Sequence, residues 1–162
     1  MLRSVALPPN INGRLFLSSM PGRYEKFDQS RASFLEYSVD HIVCLVALEE
    51  VEHKSALYGE ALRTGTLPCQ ATFFPILDAA VPDDKERYLQ VVSDVVARLI
   101  KGENILVHCG AGIGRTGIFA ISVLLTMGID VQQSLGLVRA AGSYPETSEQ
   151  WEFIDWVAGQ QE

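Results

Sequence analysis

Apolar positions along the chain change their spacing several times, and each change marks an element. The clearest stretch is 83–100, where Tyr88, Val91, Val92, Val95, Val96 and Leu99 follow the i, i+3, i+4, i+7 rule of a helix with one buried face. Pro82-Asp83 supplies its start signal and Lys101-Gly102 its stop. Short continuous apolar runs at 15–17, 42–46, 71–76 and 104–108 predict strands, the first opened by the turn signal Asn12-Gly13. The segments 29–37 and 54–63 have helical composition. After His108 only helices are expected, over 115–127, 131–141 and 147–158; in the last, Trp151, Ile154 and Val157 are assigned to the core. Strands alternating with helices predict an α/β fold with one central, mainly parallel sheet of about four to five strands covered on both faces.

The chain's 162 residues fit a single domain spanning 1–162, with the segment 1–12 expected to pack loosely. A content of 48% hydrophobic and 20% charged residues is ordinary globular usage. The net charge of −7 disfavours a protein whose main task is to neutralise nucleic-acid phosphates or to sit on an anionic membrane, so neither partner is expected. The longest apolar stretch, 118–125, is far short of the ~20 residues that span a bilayer, and the first ten residues lack the apolar core of a signal peptide. Cys44, Cys69 and Cys109 are odd in number and form no CxxC pair, which predicts a reducing, cytoplasmic setting without disulfides. Cys44 lies in an apolar run and reads as core; Cys69 follows Pro68 and reads as structural. His41, His53 and His108 form no ligand cluster with the cysteines, so no metal and no cofactor are expected. A monomer is expected.

Chemistry concentrates in 105–117, Ile-Leu-Val-His-Cys-Gly-Ala-Gly-Ile-Gly-Arg-Thr-Gly. Two patterns overlap there. Gly112 to Gly117 matches the dinucleotide pattern GxGxxG, yet it follows the last strand rather than the first. No strand ending in Asp or Glu follows to hold a ribose, and the pattern leaves Cys109 and Arg115 unused. The other pattern is His-Cys, five residues, then Arg-Thr. Small residues between a strand and a helix start let successive backbone N–H groups of Gly110, Ala111, Gly112, Ile113 and Gly114 face one concavity, where the helix dipole also favours an anion. Arg115 closes that cup with a planar fork for two phosphate oxygens. A cysteine in such a positive cup is a candidate thiolate nucleophile, since comparable surroundings lower thiol pKa from about 8.5 into the range ~3.5–7.5. Thr116 could donate its hydroxyl to the sulfur, and His108 could orient the loop through its ring nitrogens.

His108-Cys-x5-Arg-Thr116 resembles the signature of the cysteine-dependent protein tyrosine and dual-specificity phosphatases, with every defining position present. Chain length makes the sequence similar to the small dual-specificity branch, which includes kinase-associated phosphatase-like members. The resemblance implies hydrolysis of a phosphate monoester through a cysteinyl phosphate. A carboxylic acid must then protonate the leaving group and, once ionised, activate water. In the resembled family this Asp lies in a mobile loop about thirty residues before the Cys, which implies Asp78, in Phe74-Pro-Ile-Leu-Asp78, although the family's Trp-Pro-Asp pattern is absent. Asp83 and Asp84 are the other candidates and read better as helix N-caps. The family also positions the hydrolytic water with glutamines before its last helix; Gln150 matches one of them and Glu146 stands at the other. Thr147-x-x-Gln150 doubles as a capping box.

The expected substrate is a phosphorylated protein or a small phosphomonoester, phosphotyrosine and phosphoserine or phosphothreonine being undivided by the sequence. The loop between Cys109 and Arg115 holds no Lys or Arg to favour polyphosphorylated inositides. Arg23-Tyr24, after Met20-Pro-Gly22, could line the cleft or form a surface turn. Two other readings stay open: a phosphatase of a metabolite or an RNA 5′ phosphate, and a phosphate-recognition module with little turnover.

Overall fold

The computed structural model describes residues 1–161. Five strands, β1 (Arg3–Val5), β2 (Arg14–Ser18), β3 (His41–Cys44), β4 (Gln70–Phe73) and β5 (Asn104–His108), form one sheet in the order β1-β2-β5-β3-β4. All pairings are parallel except that of β1 with β2, so the α/β class and the mainly parallel sheet agree with the pattern of apolar runs. β3 is buried throughout and β5 nearly so, as continuous apolar strands in the middle of a parallel sheet should be. The run 71–76 is strand only to Phe73; Phe74 and Ile76 then donate to the carbonyls of Cys44 and Leu45 and carry the chain off the sheet.

The helices are α1 (Phe27–Glu36), α2 (Leu48–Lys54), α3 (Ala56–Thr64), α4 (Lys85–Ile100), α5 (Gly114–Thr126), α6 (Val131–Ala140) and α7 (Ser148–Gly159). α4 buries the six positions of its apolar stripe, and its N-cap is Asp84, whose carboxylate accepts from Arg87 N–H at 3.0 Å. α5 is buried from Gly114 to Leu125, with α4, α6 and α7 packed around it. Tyr88 ties two of these helices together: its hydroxyl bonds Ser122 Oγ at 2.7 Å, and its ring stands edge-on to Phe74, Phe119 and Phe153.

Three expectations need correction. The segment 1–12 is not loose, because Arg3–Val5 pairs antiparallel with β2, Arg3 opposite Leu17. The helix expected over 54–63 is preceded by a separate turn of helix, α2, broken from α3 at Ser55. Trp151 is not core: it is 38% exposed, while Phe153, Ile154 and Val157 face inward. The inward stripe of α7 is therefore set by Phe153, a position that the i, i+3 spacing from Trp151 passed over.

Candidate active site

Because β2, β3, β4 and β5 run in the same direction, the loops that follow them meet at one edge of the sheet. Loops at the carboxyl ends of parallel strands are where α/β folds place ligands. The loop after β5 begins at Cys109, a residue 2% exposed at the end of the sheet's central strand, whose sulfur accepts a hydrogen bond from Gly112 N–H at 3.3 Å. Gly112 is left-handed, with φ of 79°, and a Cβ there would run into the carbonyl of Ser18. Only glycine allows the loop to turn this tightly against β2. Met20 N–H holds the Gly110 carbonyl at 3.0 Å, so the loop after β2 clamps the loop after β5.

Arg115 lies in the first turn of α5, almost fully buried, and its guanidinium reaches two other segments, the loop after β4 and α2. Nη1 donates to the Ile76 carbonyl at 2.9 Å, Nη2 lies 3.4 Å from Asp78 Oδ1, and Nη1 lies 3.9 Å from Glu50 Oε1. Asp78 is thus beside Arg115, with its side chain 81% exposed. Glu50, from α2, was not among the sequence-derived candidates. The available signal was the acidic pair Glu49-Glu50 a few residues after a buried strand, on the same edge as the Cys109 loop.

His108 is completely buried, and its ring orients the loop from beneath. Nδ1 faces the Cys109 carbonyl at 3.0 Å and Nε2 faces Tyr58 Oη at 2.7 Å. A carbonyl only accepts, so Nδ1 carries the proton and Nε2 accepts from the Tyr58 hydroxyl. Burial pushes His108 down to about 4, with Arg115 adding to the shift and the bond to the Cys109 carbonyl opposing it, so the ring is neutral at pH 7. The Tyr58 hydroxyl, buried likewise, is raised well above its ordinary value.

The expected bond from Thr116 to the sulfur is absent: Thr116 Oγ1 is buried without a partner. Thr116 sits one residue beyond Arg115 inside the helix, and its side chain is directed into the packed interior. Gln150 is buried with both ends of its amide engaged, Oε1 accepting from Glu146 N–H at 2.7 Å and Nε2 donating to Ala80 O at 3.1 Å. It therefore braces the segment that follows Asp78. The capping box is half formed: Thr147 Oγ1 accepts from Gln150 N–H at 3.1 Å, and the glutamine side chain serves Glu146 instead of returning to Thr147. Glu146 and Gln150 both stand against Gly114, where a Cβ would collide with the Glu146 carboxylate.

Arg23 comes to the rim of the cup. Its Nη1 lies 3.1 Å from where a Cβ on Gly110 would stand, and its guanidinium stacks on the exposed Tyr24 ring at 4.8 Å. Asp83 lines a cavity together with Glu50 and Ile76, and Asp84 is engaged in its cap. Burial pushes the Cys44 thiol up to about 12 and the Cys69 thiol to about 11, so both are inert at neutral pH. Among the described residues, no helix is long and apolar enough to cross a membrane.

Comparison with known proteins gives a consistent set of likenesses. A family model described as "Swiss Army Knife protein, DSP-PTPase phosphatase domain" matches residues 11–152. Putative tyrosine phosphatase 197R of Invertebrate iridescent virus 6 is 26% identical over 91 residues, 54% of this chain and 34% of that protein. Receptor-type tyrosine-protein phosphatase R of Rattus norvegicus is 33% identical over 90 residues, 48% of this chain and 13% of that protein. The chain thus spans about a third or less of the length of these relatives. Among solved structures, kinase associated phosphatase with its catalytic cysteine changed to serine superposes with a TM-score of 0.83 at 16% identity, covering 99% of this chain and 95% of that one. Tk-PTP in its active form gives 0.72 at 24% identity, covering 95% and 99%. TpbA of P. aeruginosa in complex with pTyr gives 0.62 at 20% identity, covering 98% and 95%.

Proposed function

Since the chain belongs to the DSP-PTPase phosphatase domain family, we propose that it hydrolyses phosphate monoesters, phosphotyrosine among them, with Cys109 as nucleophile, Arg115 as phosphate clamp and Asp78 as general acid. The observation that carries the reading is the convergence of Cys109 Sγ, the glycine loop and the Arg115 fork with the Asp78 carboxylate at 3.4 Å, all from one chain. The oxyanion is held by N–H groups of Gly110, Ala111, Gly112, Ile113 and Gly114 and by Arg115. The thiolate attacks phosphorus while the P–O bond to the substrate breaks, and Asp78 gives its proton to the departing oxygen. Water then attacks the cysteinyl phosphate as Asp78 takes a proton from it, which releases inorganic phosphate and restores the thiolate.

The neutral His108 fixes the Cys109 carbonyl and so the direction of the first loop peptide. Gln150 acts by bracing the Asp78 segment through Ala80, and the Glu146 carboxylate stands next to the loop where the attacking water must arrive. The pTyr bound by TpbA and the exposed Tyr24 at the cup rim favour an aromatic phosphoester. The same reading has the protein work as a monomer in the cytoplasm on phosphorylated proteins or small phosphomonoesters. Its three free cysteines accord with a reducing compartment, which a thiolate enzyme requires. The test is turnover of an aryl phosphate with acid quenching to trap the phosphoenzyme. Wild type should yield phosphate and a phosphocysteine at position 109, and Cys109→Ser should still bind phosphate with no turnover. Full activity in Cys109→Ser ends the proposal, and binding without turnover in wild type leaves a recognition module instead.

A further inference from the structure

The underside of the loop is held by a residue far from it in sequence. Arg3, on β1, is half-buried and donates through Nη2 to the Gly112 carbonyl at 2.7 Å. Its Nη1 serves the Ala141 carbonyl and Ser143 Oγ, the latter at 3.0 Å, and Ser143 Oγ in turn donates to the same Gly112 carbonyl at 2.6 Å. Room for this fork is made by Gly142, where a Cβ would stand 2.6 Å from Arg3 Nη1. A trans peptide points its C=O and N–H in opposite directions. Two donors that draw the Gly112 carbonyl toward β1 therefore turn the N–H of the same peptide, that of Ile113, the other way. Gly112 N–H, on the preceding peptide, already points at Cys109 Sγ.

Without these donors the 112–113 peptide is free to rotate, because glycine tolerates both senses of φ and nothing else accounts for the Gly112 carbonyl. We propose that Arg3 is a positioning residue of the anion-binding loop: it holds the Gly112 carbonyl away from the cup and so aims the Ile113 N–H at the bound oxyanion. This rests on the reading of the loop as a phosphate cup. Burial lowers the Arg3 guanidinium below its ordinary value while the sulfur of Cys109 opposes the shift, in keeping with a charge placed just behind the nucleophile. Arg3 lies outside the residues that the family model matches, and 109 positions separate it from its acceptor.

The test uses the full chain as wild type, Arg3→Met and Arg3→Lys. The 15N–1H signal of the Ile113 amide is followed in the free protein and during titration with tungstate, beside thermal melting. Arg3→Met should shift the Ile113 and Gly112 signals with those of β3 and α4 unmoved, and should weaken tungstate binding about tenfold, the effect of losing one charge-assisted hydrogen bond. Arg3→Lys, which restores a charged donor, should recover most of that affinity. A folded Arg3→Met with unmoved Ile113 and wild-type affinity overturns the proposal, as does a loss that Arg3→Lys fails to reduce. If Arg3→Met does not fold, Arg3→Gln, too short to reach Gly112, is read in the same way. A wild type that binds tungstate without hydrolysing an aryl phosphate would end the hydrolase reading and leave this one intact. Normal turnover with indifferent Arg3 variants would end this one alone.

Discussion

His108 and Tyr58 share a 2.7 Å hydrogen bond in the interior, in which the imidazole accepts from the phenol. The bond commits the other ring nitrogen to the Cys109 carbonyl, so one buried pair sets the tautomer on which the loop rests. Because the folded ring titrates at about 4 and an unfolded histidine near 6.5, the unfolded chain binds the extra proton first as pH falls. The stability this supplies is present above pH 6.5 and lost as pH drops toward 4. It amounts to about 3 kcal/mol at full extent. Denaturant titrations between pH 4 and 7 should show a steeper pH dependence in wild type than in His108→Gln. Equal slopes would mean that the ring takes up its proton over the same pH range in the folded and the unfolded chain.

Asp78→Ala should lower kcat on an aryl phosphate by about 10²–10³, the usual contribution of a general acid. Asp84→Ala should leave kcat near wild type and cost about 1 kcal/mol of stability through loss of the α4 cap. A larger kcat loss in Asp83→Ala than in Asp78→Ala would move the acid to the neighbouring segment.

Glu50→Gln keeps the shape of the side chain and removes the charge 3.9 Å from Arg115 Nη1. The Ile76 carbonyl still holds the guanidinium, so the change should be moderate, a fall in kcat/KM of about three- to tenfold, or about 1 kcal/mol. Steady-state kinetics on wild type and variant decide it. An unchanged kcat/KM would show Glu50 to be a spectator.

Gly112→Ala combines a left-handed residue with a Cβ directed into the Ser18 carbonyl. Its cost should exceed about 1 kcal/mol, and tungstate affinity should fall because the loop must open to relieve the contact. Thermal melting together with tungstate titration would test both. A variant with wild-type Tm and affinity would contradict the loop geometry.

The contiguous parts of the site were legible in the sequence, and the assembled parts were not. Cys109, the glycines and Arg115 occupy one short segment whose spacing dictates a cup, and α4 announces itself by six apolar positions at helical period. Glu50 and Arg3 enter through contacts across long stretches of chain, and no local period encodes such a meeting. β1 is only three residues long and α2 buries only Val51, so neither leaves a pattern above background. Thr116 shows the opposite failure. Its place in the motif suggested a bond to sulfur, but the first turn of α5 sends the hydroxyl elsewhere. Gln150 was found by resemblance, while its use as a brace on Ala80 depends on how the loop after β4 folds back over α7.

Strand order divides the chemistry between two kinds of ground. β5 is flanked on both sides, by β2 and β3, whereas β4, like β1 at the other end, is an outer strand paired on one side only. Opening of an edge strand breaks one ladder and opening of a central strand breaks two, so amide exchange should be faster along β4 than along β5. Fluctuations that loosen Asp78, the proposed proton donor, therefore leave Cys109 and the N–H groups of its loop standing. On the proposed function, a chain caught in such a fluctuation would still capture phosphate, and would regain its acid simply by re-zipping one short strand.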